Sequence, residues 1–180
     1  MTHEILIAGF GGQGVMAIGK TIVEAGMAEG LFVSWLPSYG PEMRGGTANC
    51  SVVLSRQPVG SPIVLNPTEL IAMNRPSLLK FEQDVLPGGL ILVNRSLVSD
   101  QVTRQDLRVC YVPCLEIAGE LGNLKVANMV MLGAFLGATG ALRTETVRGM
   151  LEQVFHGPKA GLVAVNAEAL ARGAACAESC

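Results

Sequence analysis

Apolar residues follow two rhythms along this chain. Continuous apolar runs occur at Ile5-Leu6-Ile7-Ala8, a first strand, and at Leu90-Ile91-Leu92-Val93, which has the look of a parallel strand covered on both faces. Elsewhere the apolar positions recur at helical spacing. After the first run, Val15, Ile18, Ile22, Val23 and Met27 can line one face of a helix, and Gly30 stands where a helix ends. Leu31–Leu36 then reads as a second strand and Thr47–Ser55 as a third, β-branched and bounded by Arg56-Gln57-Pro58. Between them Pro37–Gly46 is too rich in Pro and Gly for a regular element. Two short apolar segments follow, around Ile63–Leu65 and Leu70–Met73. Pro76 suits the first turn of a helix carrying Leu78, Leu79, Phe81 and Val85, closed by Pro87-Gly88-Gly89. Val109–Val112 is the last predicted strand. From Cys114 to Ala175 the pattern is helical in four pieces, 115–121, 126–136, 144–155 and 159–172.

The second of these helices has almost no polar face. Its run ANMVMLGAFLGA predicts burial, within the domain or between subunits, with Asn128 as the polar exception. Asn128 is either a satisfied buried amide or a ligand contact. The pattern as a whole predicts an α/β protein, a Rossmann-like open, mostly parallel sheet with helices on both faces, in a single domain over residues 1–180.

Composition sharpens this reading. The 180 residues are 49% hydrophobic but only 4% aromatic, so the core must be aliphatic, which favours α/β over a β-sandwich. A net charge of −2 with 16% charged residues argues against a nucleic-acid binder. Mean hydropathy is +0.42, yet no apolar run approaches the ~18 residues of a membrane span. The surplus apolar surface is expected against other subunits. Nothing at the start of the chain suggests export, so the expected location is cytoplasmic.

The five cysteines include two C-x-x-x-C pairs, Cys110/Cys114 and Cys176/Cys180, which match neither iron–sulfur runs nor common zinc spacing. They read as reduced thiols rather than metal ligands. His3 and His156 lack neighbours at ligand spacing and read as surface or packing residues.

The stretch with chemistry in it is GFGGQGV, Gly9 to Val15, between the first strand and the first helix. Gly9, Gly11 and Gly14 fit G-x-G-x-x-G, with Gly12 a fourth glycine. A helix N-terminus presents free amides and roughly +0.5 charge to an anion, and absent Cβ atoms let a phosphate approach. A tight strand-to-helix turn demands glycine as well, so a purely structural turn is the competing reading. A dinucleotide fold also places an acid about 20 residues beyond the glycines. Here the second strand ends Trp35-Leu36-Pro37-Ser38, with no acid, which lowers the case for a free-standing NAD enzyme. In its place is a loop with Ser38, Tyr39 and Arg44. Arg44 is either a guanidinium fork for a phosphate or carboxylate, or an exposed arginine in a flexible loop.

Two motifs, GFGGQGV and SYGPEMRGGTANCSVVLS, resemble the gamma subunit, or gamma domain, of 2-oxoacid:ferredoxin oxidoreductases. The resemblance continues through Asn66-Pro67, Leu70–Asn74, Gly88-Gly89 and GNLKVANMVMLGAFL, in order, over most of the chain. It implies a share in converting a 2-oxoacid, coenzyme A and oxidised ferredoxin to an acyl-CoA, carbon dioxide and reduced ferredoxin. Thiamine diphosphate, magnesium and iron–sulfur clusters are implied on partners: alpha and beta (thiamine-binding) subunits and a ferredoxin-like delta subunit. This chain would supply no catalytic residue. It would hold coenzyme A, with Gly9, Gly11, Gly12, Gln13 and Gly14 on the phosphate side, Gln13 offering a side-chain amide, and Ser38, Tyr39, Arg44 and Asn128 around the same crevice. The PEMRGG form is more similar to the 2-oxoglutarate and branched-chain enzymes than to the pyruvate form, and 2-oxoglutarate is the expected acid. The alternatives are a free-standing dinucleotide-binding oxidoreductase and a purely structural subunit of the same complex.

Overall fold

A computed structural model describes residues 2–39, 47–177 and 180, with only the backbone of Tyr39. Six strands form one sheet: β1 (His3–Phe10), β2 (Phe32–Tyr39), β3 (Thr47–Ser55), β4 (Glu69–Ala72), β5 (Leu90–Asn94) and β6 (Arg108–Val112), in the order β2-β3-β1-β4-β5-β6. The helices are α1 (Val15–Ala28), α2 (Arg75–Phe81), α3 (Cys114–Glu120), α4 (Ala127–Thr139), α5 (Thr144–Val154) and α6 (Leu162–Cys176).

The sheet is mixed. β1, β4, β5 and β6 pair in parallel, but β3 runs antiparallel to both β1 and β2. A plain doubly wound order would set β2 directly beside β1. Here β3 takes that place and β2 becomes an edge strand. Edge position explains why β2 runs on through Pro37, opposite Cys50, three residues beyond the predicted end: an edge strand tolerates a residue with no N–H to donate.

Helices cover both faces, unequally. One core, containing Ile5, Ile7, Ile71, Leu92 and Val112, lies under α1, α3, α4 and α6, with α5 packed on α1 and α6. The other face, with Leu6, Leu70, Ile91 and Val93, is covered by Leu78 of α2 and by Val85 and Val98 of the connections. Asn74 starts α2 by accepting from the Ser77 amide at 2.9 Å, and Pro76 occupies the first turn.

α1 lies close against β2 and β3. A Cβ on Gly19 would meet the Cys50 sulfur, and one on Gly26 would meet Leu54 and Val33. The buried stripe is therefore Val15, Ile18, Ile22 and Ala25, and Met27, expected on that face, is 62% exposed. Burial also pushes the Cys50 thiol up to about 11, so it packs as a neutral group.

α4 is buried within the chain, as its apolar surface demanded. It crosses α6 at glycine: a Cβ on Gly133 would strike the Leu170 carbonyl, and one on Gly173 the Val130 carbonyl. The path of α6 also corrects the expectation of five reduced thiols. Its end returns to the sheet beside β6, so Cys110 and Cys180, 70 residues apart, stand with Cα atoms 5.0 Å apart and form a disulfide. Among the described residues no helix is long and apolar enough to cross a membrane, and no three His, Cys, Asp or Glu side chains gather as metal ligands.

Replacing Gly133 or Gly173 with Ala should overpack this crossing and cost about 1–3 kcal/mol or more, read as a lower midpoint in chemical denaturation.

Candidate functional site

The parallel strands deliver their C-terminal ends to one edge, where the chain leaves β1 for α1 on one side and β4 lies on the other. Ligands of open α/β sheets bind at such a switch point. Three carboxamides line up there. Gln13 follows β1, Asn74 follows β4 and Asn94 ends β5.

Both polar atoms of Gln13 have partners within the chain. Its Oε1 accepts from the Phe10 amide at 2.6 Å and from Asn74 Nδ2 at 3.3 Å, while its Nε2 donates to the Met73 carbonyl at 3.2 Å. The side-chain amide expected to face a ligand is instead turned onto the ends of β1 and β4. Asn94 Nδ2 donates to the same Met73 carbonyl at 3.3 Å, but its Oδ1 is buried with no partner.

The glycines divide by role. A Cβ on Gly9 would lie 2.7–2.9 Å from Gln13, Met73 and Val15, so this position is fixed by packing beneath the turn. Gly14 has φ 80° and lies against Asn128, 2.7 Å from where its Cβ would be. Gly12 has φ 95°, and a Cβ there would meet nothing within 4 Å. The left-handed backbone requires glycine, and the space above it is open. α1 begins immediately afterwards with Gly14 as its cap and no side-chain cap; its first backbone bond runs from Ile18 N to Gly14 O at 2.9 Å. The amides of the first turn therefore have no acceptor inside the helix.

Gly12, Gln13, Gly14 and Asn128 line a crevice of about 510 Å³, together with Met73 and Asn94 at its base. Its other wall comes from Leu97, Leu115 of α3, and a 3₁₀ turn, Leu124–Val126, that contributes Leu124 and Lys125. Lys125 is the one charged side chain among these lining residues. Amides and a helix N-terminus on one side, and leucines with a cation among the other lining residues, fit a phosphorylated ligand with an apolar arm.

Of the remaining predicted residues, Gly9 and Gly11 belong to the turn but not to the crevice wall. Ser38 pairs opposite Asn49, which pairs opposite Ala8, so it reaches the same end of the sheet two strands away, roughly 10 Å. Val33 and Trp35 turn toward α1, and strand alternation directs Ser38 to the other face. Tyr39 is described only through its backbone, opposite Ala48, and Arg44 lies outside the described residues. The sequence reading passed over Asn94, Leu97, Leu124 and Lys125. A polar residue ending the aliphatic run 90–93 was the available signal for Asn94.

Residues 4–176 match the family described as pyruvate ferredoxin/flavodoxin oxidoreductase. The chain belongs to this family. It is 45% identical over 173 residues to the ketoisovalerate oxidoreductase subunit VorA of Methanothermobacter marburgensis, covering 95% of this chain and 36% of that protein. The chain thus spans about a third of the length of these relatives. It is 38% identical over 149 residues to the 2-oxoglutarate synthase subunit KorC of the same organism, covering 79% of this chain and 80% of that one. The gamma subunit of a keto/oxoacid ferredoxin oxidoreductase from Geobacter sulfurreducens superposes with a TM-score of 0.86 at 27% identity, over 99% of this chain and 98% of that one. A 2-oxoglutarate:ferredoxin oxidoreductase from Magnetococcus marinus, solved with 2-oxoglutarate, coenzyme A and succinyl-CoA bound, shares the fold at a TM-score of 0.90 and 23% identity, over 99% of this chain and 31% of that one.

Gln13→Ala should remove the ties to Phe10, Met73 and Asn74 and lower stability by about 1–3 kcal/mol, measured by urea denaturation.

Proposed function

We propose that this chain is the gamma domain, a single domain over residues 1–180, of a multi-subunit 2-oxoacid:ferredoxin oxidoreductase, and that it positions coenzyme A. The open backbone at Gly12, at the uncapped start of α1 and in a crevice that Lys125 also lines, carries the reading. Free amides and a cation hold a phosphate of coenzyme A there. Gly12 and Gly14 line that side, Asn128 borders it from α4, and Gly9, Gly11 and Gln13 shape the turn. Ser38 and the backbone of Tyr39 lie at the same edge of the sheet, and the proposed site takes in Ser38, Tyr39 and Arg44 and is completed by a partner subunit.

Thiamine diphosphate with magnesium, and the iron–sulfur clusters, reside on alpha, beta and ferredoxin-like delta partners and supply decarboxylation and electron transfer to ferredoxin. This chain's part is to bind and orient the thiol carrier, so that acyl transfer occurs between held reactants. The expected acid is 2-oxoglutarate, chosen on the thiamine-bearing chains. A branched-chain 2-oxoacid is the second reading, favoured by the higher identity to VorA, 45% against 38% for KorC.

Gly12→Val, tested in the assembled complex, should raise KM for coenzyme A about tenfold or more with little change in kcat, because it removes an approach made equally in ground and transition states. Unchanged kinetics in an intact complex would leave the chain a purely structural subunit. Micromolar NAD(H) binding by the chain alone would favour a free-standing dinucleotide enzyme instead.

A further inference from the structure

The crevice offers more than an anion cradle. Along its base the carboxamides of Gln13 and Asn74 are spent on each other, on the Phe10 amide, on the Met73 carbonyl and on the start of α2. Asn94 is 1% exposed and uses its Nδ2 on Met73, while its Oδ1 accepts from nothing. A buried acceptor without a donor destabilises the fold unless a ligand supplies one. Leu97 and Leu124, 47% and 62% exposed, stand at the rim with Leu115 between β5 and the 3₁₀ turn. Exposed leucines lining the same crevice as an unsatisfied amide oxygen describe a receptor for an apolar chain that carries N–H donors.

The geometry points to Asn94 as the residue that accepts a hydrogen bond from an amide N–H of the pantetheine arm of coenzyme A, with Leu97, Leu115 and Leu124 packing the methylenes beside it. This rests on the placement of the phosphates at the glycine turn. The arm then runs from the Gly12 side of the crevice across the ends of β4 and β5, and Asn94 fixes its register.

The test compares coenzyme A with analogues in which each pantetheine amide in turn is replaced by an ester, by binding to the native complex. Wild-type protein should hold coenzyme A about tenfold more tightly than one of the two esters. Asn94→Leu, or Asn94→Ala if the larger side chain prevents folding, should discriminate less than about twofold between the two, with 3′,5′-ADP bound as in the wild type. Equal affinity of wild-type protein for coenzyme A and both esters overturns the assignment whatever the variants do. So does a loss of 3′,5′-ADP affinity in the Asn94 variants, which would put the adenine there. Failure of the phosphate placement is read separately: Gly12→Val would then bind coenzyme A normally, while the amide discrimination, if present, still depended on Asn94.

Discussion

The carbonyl oxygen of Met73 holds the functional edge of this fold together. It accepts from Gln13, which belongs to the turn after β1, and from Asn94, which ends β5. Met73 itself follows β4 and donates its amide to Ala8 of β1 at 2.8 Å. Three neighbouring strands are thereby locked at their C-terminal ends by groups that ordinary strand pairing leaves unpaired. Through Gln13, which also accepts from the Phe10 amide, the glycine turn is tied to the end of β4. The lock also explains why Gly9 must be glycine, since the carboxamide of Gln13 fills the space a side chain would need.

Most of the fold was legible because its signals are local. The aliphatic runs 5–8 and 90–93 are strands, and 47–55 is a strand with the predicted ends. The four helical segments after Cys114 all formed, within a few residues at each end. The place of β3 was not legible. Its insertion between β1 and β2 depends on long-range pairing, and β-branched residues suit either direction of pairing equally. The same insertion moved Ser38 away from the glycine turn, although its position at the end of a second strand suggested closeness.

The site was legible where backbone conformation dictates residue type and illegible where it depends on convergence. Gly12 and Gly14 need positive φ, so the turn announced itself. Asn128 stood out because it is polar in an apolar helix, and it packs on Gly14. Asn94 carries no motif, and Lys125 sits in a recognised stretch that assigns it no role. They matter because β5 and the turn before α4 end beside the same crevice, which only the assembled sheet decides. The cysteines teach the same lesson: spacing along the chain was silent about Cys110 and Cys180, and the return of α6 brought them together.

The mutual glycine crossing of α4 and α6 has a consequence for where this unit can be cut from, or joined to, longer polypeptides. Without α6, the carbonyls of α4 would lose the close backbone partner that only glycine permits, and the most apolar helix of the chain would be left bare. A fusion junction or proteolytic boundary compatible with folding therefore has to fall after Cys176. In this chain the C-terminal helix is therefore an inseparable part of the packed unit rather than a tether.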